Sequence, residues 1–313
     1  MKALVTGGAG FIGSHLIKKL LEKDIEVICV DNFTLGKKEN VDKLLDDSRY
    51  NFYKINIEET ETFCEQLKDE AIDIVYHLAA NSDIQKGGRT PSVDFNDTFM
   101  TTYSVLELMR RKNIKKIFFA STSAIYGEKS ELLTEDTGDL KPISYYGGAK
   151  YASEGFISSY SFMNDLKTMI FRFPNVIGPN LTHGVVFDFK NKLLNNTKEL
   201  EILGDGTQTK PYLYVLDLVE AIVKFTIETE LNQGVEIYNV GVDSATSVTK
   251  IADMVCEELG YKNVKYSYTS GKIGWKGDVP KFQYDLSKIH SAGWSASHTS
   301  DESIRETIRN IKD

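Results

Sequence analysis

The chain opens on MKALVTGGAGFIG, residues 1–13, where an apolar run gives way to glycine at positions 7, 10 and 13. KALVT reads as a strand, and FIGSHLIKKLLEK behind it as a helix with apolar residues at helical spacing. Between a strand and a helix, glycines allow a tight turn, a backbone bare enough for a diphosphate to approach, and close packing of helix on strand. The spacing here is G-x-x-G-x-x-G, one residue longer than G-x-G-x-x-G, and the physical need is the same. The next strand, EVICV, is followed by Asp31, eighteen residues after Gly13, with Asn32 beside it. A carboxylate there accepts from both hydroxyls of a ribose and repels a 2′-phosphate, so the pattern predicts NAD rather than NADP.

Working outward, NFYKI, DIVYHLA, KKIFFA and KTMIFRF read as further strands. The segments TETFCEQLKDE, FNDTFMTTYSVLELMRRKN and YYGGAKYASEGFISSYSFMN are long enough to be crossover helices between them. Nearly continuous apolar strands alternating with helices predict an α/β fold, a Rossmann-type doubly wound parallel sheet covered on both faces. Past Pro174 the elements shorten, as in LYVLDLVEAIVKFTIE and TKIADMVCEELG, which predicts a smaller C-terminal α/β lobe completing a cleft. The boundaries expected are 1–174 for the dinucleotide-binding domain, with a segment near 212–240 returning to it, and 175–313 mainly for the lobe.

Composition narrows the function classes. A net charge of −8 gives no general attraction to nucleic acid or anionic membranes, so an anionic ligand needs local donors. Cys29, Cys64 and Cys256 have neither metal-ligand spacing nor a disulfide pattern, which points to a reducing compartment. No signal-peptide pattern precedes the first strand and no apolar run approaches the roughly 20 residues of a membrane span. The expectation is a cytoplasmic protein without nucleic-acid or membrane partners.

Further motifs are HLAA at 77–80, STSAIYG at 121–127 and ISYYGGAK at 143–150, with GWKGD at 274–278 and SAGW at 291–294 near the end. With the glycine turn they resemble, over nearly the whole length, the extended short-chain dehydrogenase/reductases. Within these the chain is similar to the NAD-dependent nucleotide-sugar epimerase/dehydratase family, typified by UDP-glucose 4-epimerase. The resemblance implies that Gly7, Gly10, Phe11, Ile12 and Gly13 form the diphosphate turn of tightly bound NAD. It implies that Asn56 and Ile57 flank the adenine, and that Leu78, Ala79 and Ala80 line the cofactor. His77 then packs at a strand end rather than acting as a base.

Tyr146 and Lys150 stand one helical turn apart, a spacing that Tyr145 misses. A phenol has a pKa near 10, so a tyrosine base near pH 7 needs its pKa lowered by about 3 units, and a neighbouring ammonium acts in that direction. Gly147, Gly148 and Ala149 between them let the helix lie close to a cofactor. The resemblance implies that Tyr146 takes the proton of a sugar C4 hydroxyl as C4 gives hydride to NAD. It further implies that Thr122 orients the hydroxyl and that Lys150 also holds the cofactor ribose. A non-catalytic NAD-binding scaffold would keep the glycines and lose this triad, which the chain retains.

The resemblance says less about the step after oxidation. Dehydratases of the family carry an Asp–Glu pair after the threonine, where this chain has Ser123 and Ala124, which argues against dehydration. The motifs HLAANSDIQKGG, ASTSAIYGE and KIGWKGDVP look like a bacterial capsule and surface-polysaccharide branch that includes oxidation at C4 of a GDP-manno-heptose. That dehydrogenase is the first expectation, and a UDP-hexose 4-epimerase with the same triad is the alternative. Asn175 and Tyr212 are expected at a GDP- or UDP-linked sugar. The family's late arginine is replaced by Ile273, which leaves phosphate charge to Lys210, Lys272 and Lys276. Helices near 92–112 and 144–164 are expected to pair two copies in a four-helix bundle. Phe95, Phe99, Val105, Leu106 and Met109 supply more apolar surface than one sheet contact needs.

Overall fold

The computed structural model describes residues 1–181, 183–269, 271, 274 and 276–311. In chain order the first elements are β1 (Lys2–Thr6), α1 (Phe11–Glu22), β2 (Glu26–Asp31), α2 (Lys38–Asp42), β3 (Tyr50–Lys54), α3 (Thr60–Gln66) and β4 (Ile74–His77). Next come α4 (Ile84–Arg89), α5 (Pro91–Asp94), α6 (Thr101–Lys112), β5 (Lys116–Thr122), α7 (Tyr145–Asn164) and β6 (Lys167–Phe173). The remainder holds β7 (Asn175–Ile177), α8 (Val185–Asn195), β8 (Glu199–Ile202), β9 (Thr209–Lys210), β10 (Tyr212–Tyr214), α9 (Val215–Val223) and β11 (Gly234–Asn239). It closes with β12 (Thr246–Ser247), α10 (Val248–Leu259), β13 (Lys265–Tyr268), α11 (Ser287–Ser291) and α12 (Ser300–Asn310). No helix among the described residues is long and apolar enough to cross a membrane.

Two compact units account for these elements. The first gathers 1–125, 144–172 and 219–238, and the second 126–143, 173–218 and 239–313. The sequence reading keeps 126–143 with the dinucleotide-binding half. In the structure this stretch is tied into the second unit, where Leu133 bridges to Tyr284 and the Tyr126 hydroxyl donates to Asn239 Oδ1 at 2.7 Å.

The first unit is built on a seven-stranded sheet of order β11-β6-β5-β4-β1-β2-β3. The pairings from β3 through β2, β1 and β4 to β5 are parallel. Its middle strands are buried on both faces: Leu4, Ile28, Val75 and Ile117 on one and Val5, Cys29, Tyr76 and Phe118 on the other are fully covered. Phe63 of α3 and Val105, Leu106 and Met109 of α6 close one side. Each such side chain contributes about 1.5–3 kcal/mol relative to exposure. The core therefore consumes three of the apolar residues that the sequence offers to a partner, and Phe95 alone of that group stays exposed. Strand order reverses between β1 and β4, and sheets of this kind bind ligands outside the carboxyl ends of the strands at such a point.

The helix expected to begin near Phe95 is not uniform. Phe95–Met100 forms a wide π-type turn before regular helix starts at Thr101. Thr101 Oγ1 donates to the carbonyls of Asp97 and Thr98 at 3.0 Å, and Thr102 Oγ1 to that of Thr98 at 2.8 Å. Hydroxyls that bond back onto carbonyls in this way compete with the regular helical ladder.

The second unit carries small strand pairs: β7 with β10 and β8 with β13, both parallel, and β9 with β12, antiparallel. Helices α8, α10 and α12 pack beside them. α12 starts with a reciprocal capping box between Thr299 and Glu302.

Candidate active site

The glycine turn has the shape its sequence predicts. Gly7 has φ +71° and donates its N–H to Val30 O at 2.8 Å. A Cβ on Gly7 would lie 2.8 Å from the backbone nitrogen of Ala79, and one on Gly13 would lie 2.3 Å from Gly7 O. Side chains are thus excluded where the ends of β1 and β4 and the start of α1 converge. Phe11 and Ile12 open α1 half-buried, and Leu78, Ala79 and Ala80 leave β4 in the same state.

Asp31 ends β2 almost fully buried. Its Oδ2 accepts from Ala9 N–H at 3.0 Å and its Oδ1 from Phe33 N–H at 2.7 Å. Burial raises this carboxyl above its ordinary pKa, and those backbone donors oppose the rise. The Asn32 backbone N–H bonds the same carboxylate, while its side-chain Oδ1 accepts from Thr34 N–H at 2.9 Å and serves the local turn. With Asn32 N–H as a third backbone donor, the carboxylate keeps only part of its acceptor capacity for a ribose hydroxyl. Asn56 is exposed and Ile57 is buried just past β3. The close-packed glycine cradle and the carboxylate fixed at the end of β2 fit the NAD that the sequence calls for.

His77 sits inside a directed chain of hydrogen bonds. Thr102 Oγ1 spends its proton on Thr98 O, so in its 3.0 Å contact with His77 Nε2 it accepts. His77 Nδ1 must then accept from Thr6 Oγ1 at 2.8 Å, and Thr6 Oγ1 in turn accepts from Ala79 N–H at 3.3 Å. The ring is fully buried and stacks on Phe119. It is a structural imidazole, and burial holds its pKa well below the ordinary value.

Thr122, Tyr146 and Lys150 come together where β5 meets α7. Ser144 caps α7, its Oγ accepting from Gly147 N–H at 3.1 Å, and this fixes where Tyr146 enters the first turn. Thr122 Oγ1 accepts from Ala124 N–H at 3.2 Å, which leaves its proton for the Tyr146 phenol to which it hydrogen-bonds. Lys150 is buried, donates to Ala120 O at 2.7 Å and lies over the Phe119 ring at 4.6 Å. A Cβ on Gly148 would meet no protein atom within 4 Å, so the turn between Tyr146 and Lys150 has a bare side.

The electrostatics run opposite to the expectation of a lysine-lowered phenol. Burial pushes Tyr146 up to about 12, with the Thr122 bond opposing and the Asp94 charge adding. Burial also pulls Lys150 down to about 7, against the attraction of Glu154. The ammonium is directed to Ala120 O and the Phe119 ring, and desolvation sets the direction of both shifts.

Glu154 was not singled out by sequence, and neither were Ser121 and Arg172. Glu154 sits one turn past Lys150 on the buried face of α7 and accepts from Ser121 Oγ and from Arg172 Nη2, the latter at 2.7 Å. The available signal was a carboxylate at i+4 in a stripe that must face the sheet.

In the second unit, Asn175 and Tyr212 are register partners across β7 and β10, and their side chains hydrogen-bond. Lys210 forms an ion pair with the buried Asp278, so its charge is already matched rather than free for a phosphate. Lys276 is exposed, and Lys272 lies outside the described residues.

Comparison with known proteins bears on what this arrangement does. Residues 3–241 match the model of the NAD dependent epimerase/dehydratase family. UDP-arabinose 4-epimerase 1 of Arabidopsis thaliana is 31% identical, with 97% of this chain and 77% of that protein covered. The crystal structure of UDP-glucose 4-epimerase with UDP-glucose from Thermotoga maritima is 33% identical at TM-score 0.87, covering 100% of this chain and 99% of that one. UDP-glucuronic acid 4-epimerase from Bacillus cereus, in complex with UDP-glucuronic acid and NAD, is 30% identical at TM-score 0.89, with 100% and 99% covered. These relatives favour the epimerase alternative over the GDP-manno-heptose expectation.

Proposed function

The chain belongs to the NAD-dependent epimerase/dehydratase family, and from that premise we propose that it is a UDP-sugar 4-epimerase with Tyr146 as its base. The observation that carries the reading is the meeting of Thr122, Tyr146 and Lys150 at the β5–α7 junction, with Ser123 and Ala124 where a dehydratase has carboxylates. When bound, NAD would supply the acceptor and donor of the C4 hydride, and its cationic ring would favour a phenolate nearby.

The protein's part is to hold and move one proton. Tyr146 Oη takes it from the C4 hydroxyl as the carbonyl forms and gives it back when the alcohol is restored. Thr122 Oγ donates to the phenol oxygen and steadies it in its charged state. Lys150, one turn away, would hold the cofactor ribose. Asp31 accepts from the adenosine ribose hydroxyls. Asn175 and Tyr212 are proposed to meet the nucleotide-sugar.

The test is incubation of the NAD-loaded enzyme with UDP-glucose, UDP-galactose, UDP-glucuronic acid and a GDP-manno-heptose. Inversion at C4 of a UDP-sugar without net NADH formation supports the proposal. A 4-keto product released with stoichiometric NADH would establish the dehydrogenase instead.

We also propose a homodimer through α6, α7 and the wide turn before α6. Phe162 is 87% exposed, Met163 76% and Phe95 56%, more apolar surface than a lone helix pair needs to show. The Phe99 and Phe156 rings pack edge-to-face at 5.0 Å and make the two segments one surface. Light scattering is expected to give twice the chain mass; a monomer at every concentration would end this proposal.

A further inference from the structure

We propose that residues 32–40 form a strap that retains the dinucleotide, with the Asn40 side chain as its latch on the glycine turn. The inference rests on the NAD site and not on the choice of sugar. Ala9, between Gly7 and Gly10, is fully buried and gripped from two directions. Its N–H donates to Asp31 Oδ2 at 3.0 Å. Its carbonyl accepts from Lys37 N–H at 3.0 Å and from Asn40 Nδ2 at 2.9 Å. Two donors fill that carbonyl, so the peptide joining Ala9 to Gly10 keeps one orientation while they are in place. Asn40 therefore acts on a dinucleotide through the turn that would carry its diphosphate. It is a positioning residue and not a ligand.

Gly36 shows how closely the strap lies. A Cβ there would stand 2.7 Å from Asp31 Oδ1 and 2.8 Å from the Ala9 Cβ. Its φ is outside the left-handed region, so space and not backbone conformation calls for glycine at this position. One segment thus lies against both Asp31, assigned to the adenosine ribose, and Ala9, at the centre of the diphosphate turn.

The chain enters the strap at a strained point. Phe33 has φ +64°, a conformation that bulky side chains rarely adopt. It is held by the bond from its N–H to Asp31 Oδ1 at 2.7 Å and by its ring against Phe52 of β3 at 5.2 Å. Thr34, Leu35, Lys37, Lys38 and Glu39 are exposed, and the next buried residue after Asp31 is Val41 of α2. A segment with so little buried surface opens locally more readily than the sheet beside it. Strain at one end and a two-bond latch at the other describe an element that can be released without unfolding the domain. An enzyme that returns its hydride needs the reduced cofactor to stay bound between the two steps, which gives the latch its use.

The experiment preloads the whole enzyme with NADH, adds excess NAD as competitor, and follows the loss of bound-NADH fluorescence by stopped flow. Asn40→Ala removes one neutral hydrogen bond of the latch and should speed release by about three- to tenfold. Gly36→Ala lifts the strap by crowding and should act in the same direction. Asn195→Ala is the control: its Nδ2 also donates to a backbone carbonyl, that of Asn191 at 3.0 Å, but in the second unit. Thermal melting of the cofactor-free forms checks that each variant is folded. Faster release from the strap variants, with the control at the wild-type rate, supports the proposal. Release at the wild-type rate from either folded strap variant, or equal acceleration in the control, overturns it and leaves the NAD site standing. A wild-type enzyme that binds no NADH overturns the site and the strap together.

Discussion

Tyr146 has the most demanding task of any side chain in the site, because its surroundings resist the charge that a base must carry. Tyr146→Phe keeps the ring and loses only the oxygen, so NAD binding should survive while turnover falls by about 10³-fold or more; fluorescence titration and a coupled NADH assay separate the two effects. Gly148 offers a milder probe. Alanine there meets no protein atom and suits a helix better, so Gly148→Ala should raise stability by up to about 1 kcal/mol. A loss of NAD affinity in the same variant would place the cofactor against that bare turn. Lys150 makes stability depend on pH. Its folded pKa is lowered to about 7 from 10.5, so between those values the unfolded chain binds more protons than the native one. Stability should therefore rise with pH across that window, and Lys150→Met should flatten the rise in chemical denaturation. Spacing put Tyr146 and Lys150 on one helical face, and the family resemblance added Thr122. The direction of their pKa shifts was not legible, because desolvation depends on what the sheet lays over them.

At the scale of elements, β1, the glycine turn, α1 and β2 are one legible unit, since apolar runs and glycines there obey a single period each. α7 was equally legible from Tyr145 to Asn164. Its N-terminus is fixed by one hydroxyl, so Ser144→Ala should cost about 1 kcal/mol and loosen the turn that carries Tyr146. Differential scanning calorimetry reads the first effect, and a turnover loss larger than the loss of folded protein reads the second. The start of α6 was not legible. FNDTFMTT has the apolar spacing of an unbroken helix, and only the back-bonding of Thr101 and Thr102 onto Asp97 and Thr98 reveals the wide turn. Such bonds depend on rotamers, which a periodicity does not encode. The small strands of the second unit escaped for a related reason: two to four residues carry too little of a period.

For the molecule as a whole, NAD dependence has a thermodynamic signature independent of turnover. A ligand that binds only the folded chain stabilises it by about 2.7 kcal/mol at a hundred times its Kd. NAD should therefore raise the melting temperature, and NADP at equal concentration should raise it far less, because Asp31 would face the 2′-phosphate. Asp31→Ala or Asp31→Ser should narrow that difference. The first unit draws on three separated stretches of chain. Local patterns name the elements and offered a return near 212–240, but they carry no measure of which unit a loop stretch such as 126–143 joins. The His77 ring has given away its only proton and filled its only lone pair, and no water reaches it. An acidic solution can charge it only by pulling Thr6 or Thr102 out of place. The unfolded chain gains that proton as the pH drops below about 6.5, while the native ring refuses it, so tolerance of acid should fail from there downward. The dinucleotide cradle, joined to this ring through Thr6 and Ala79, would then be the first part of the fold to loosen in a souring cell.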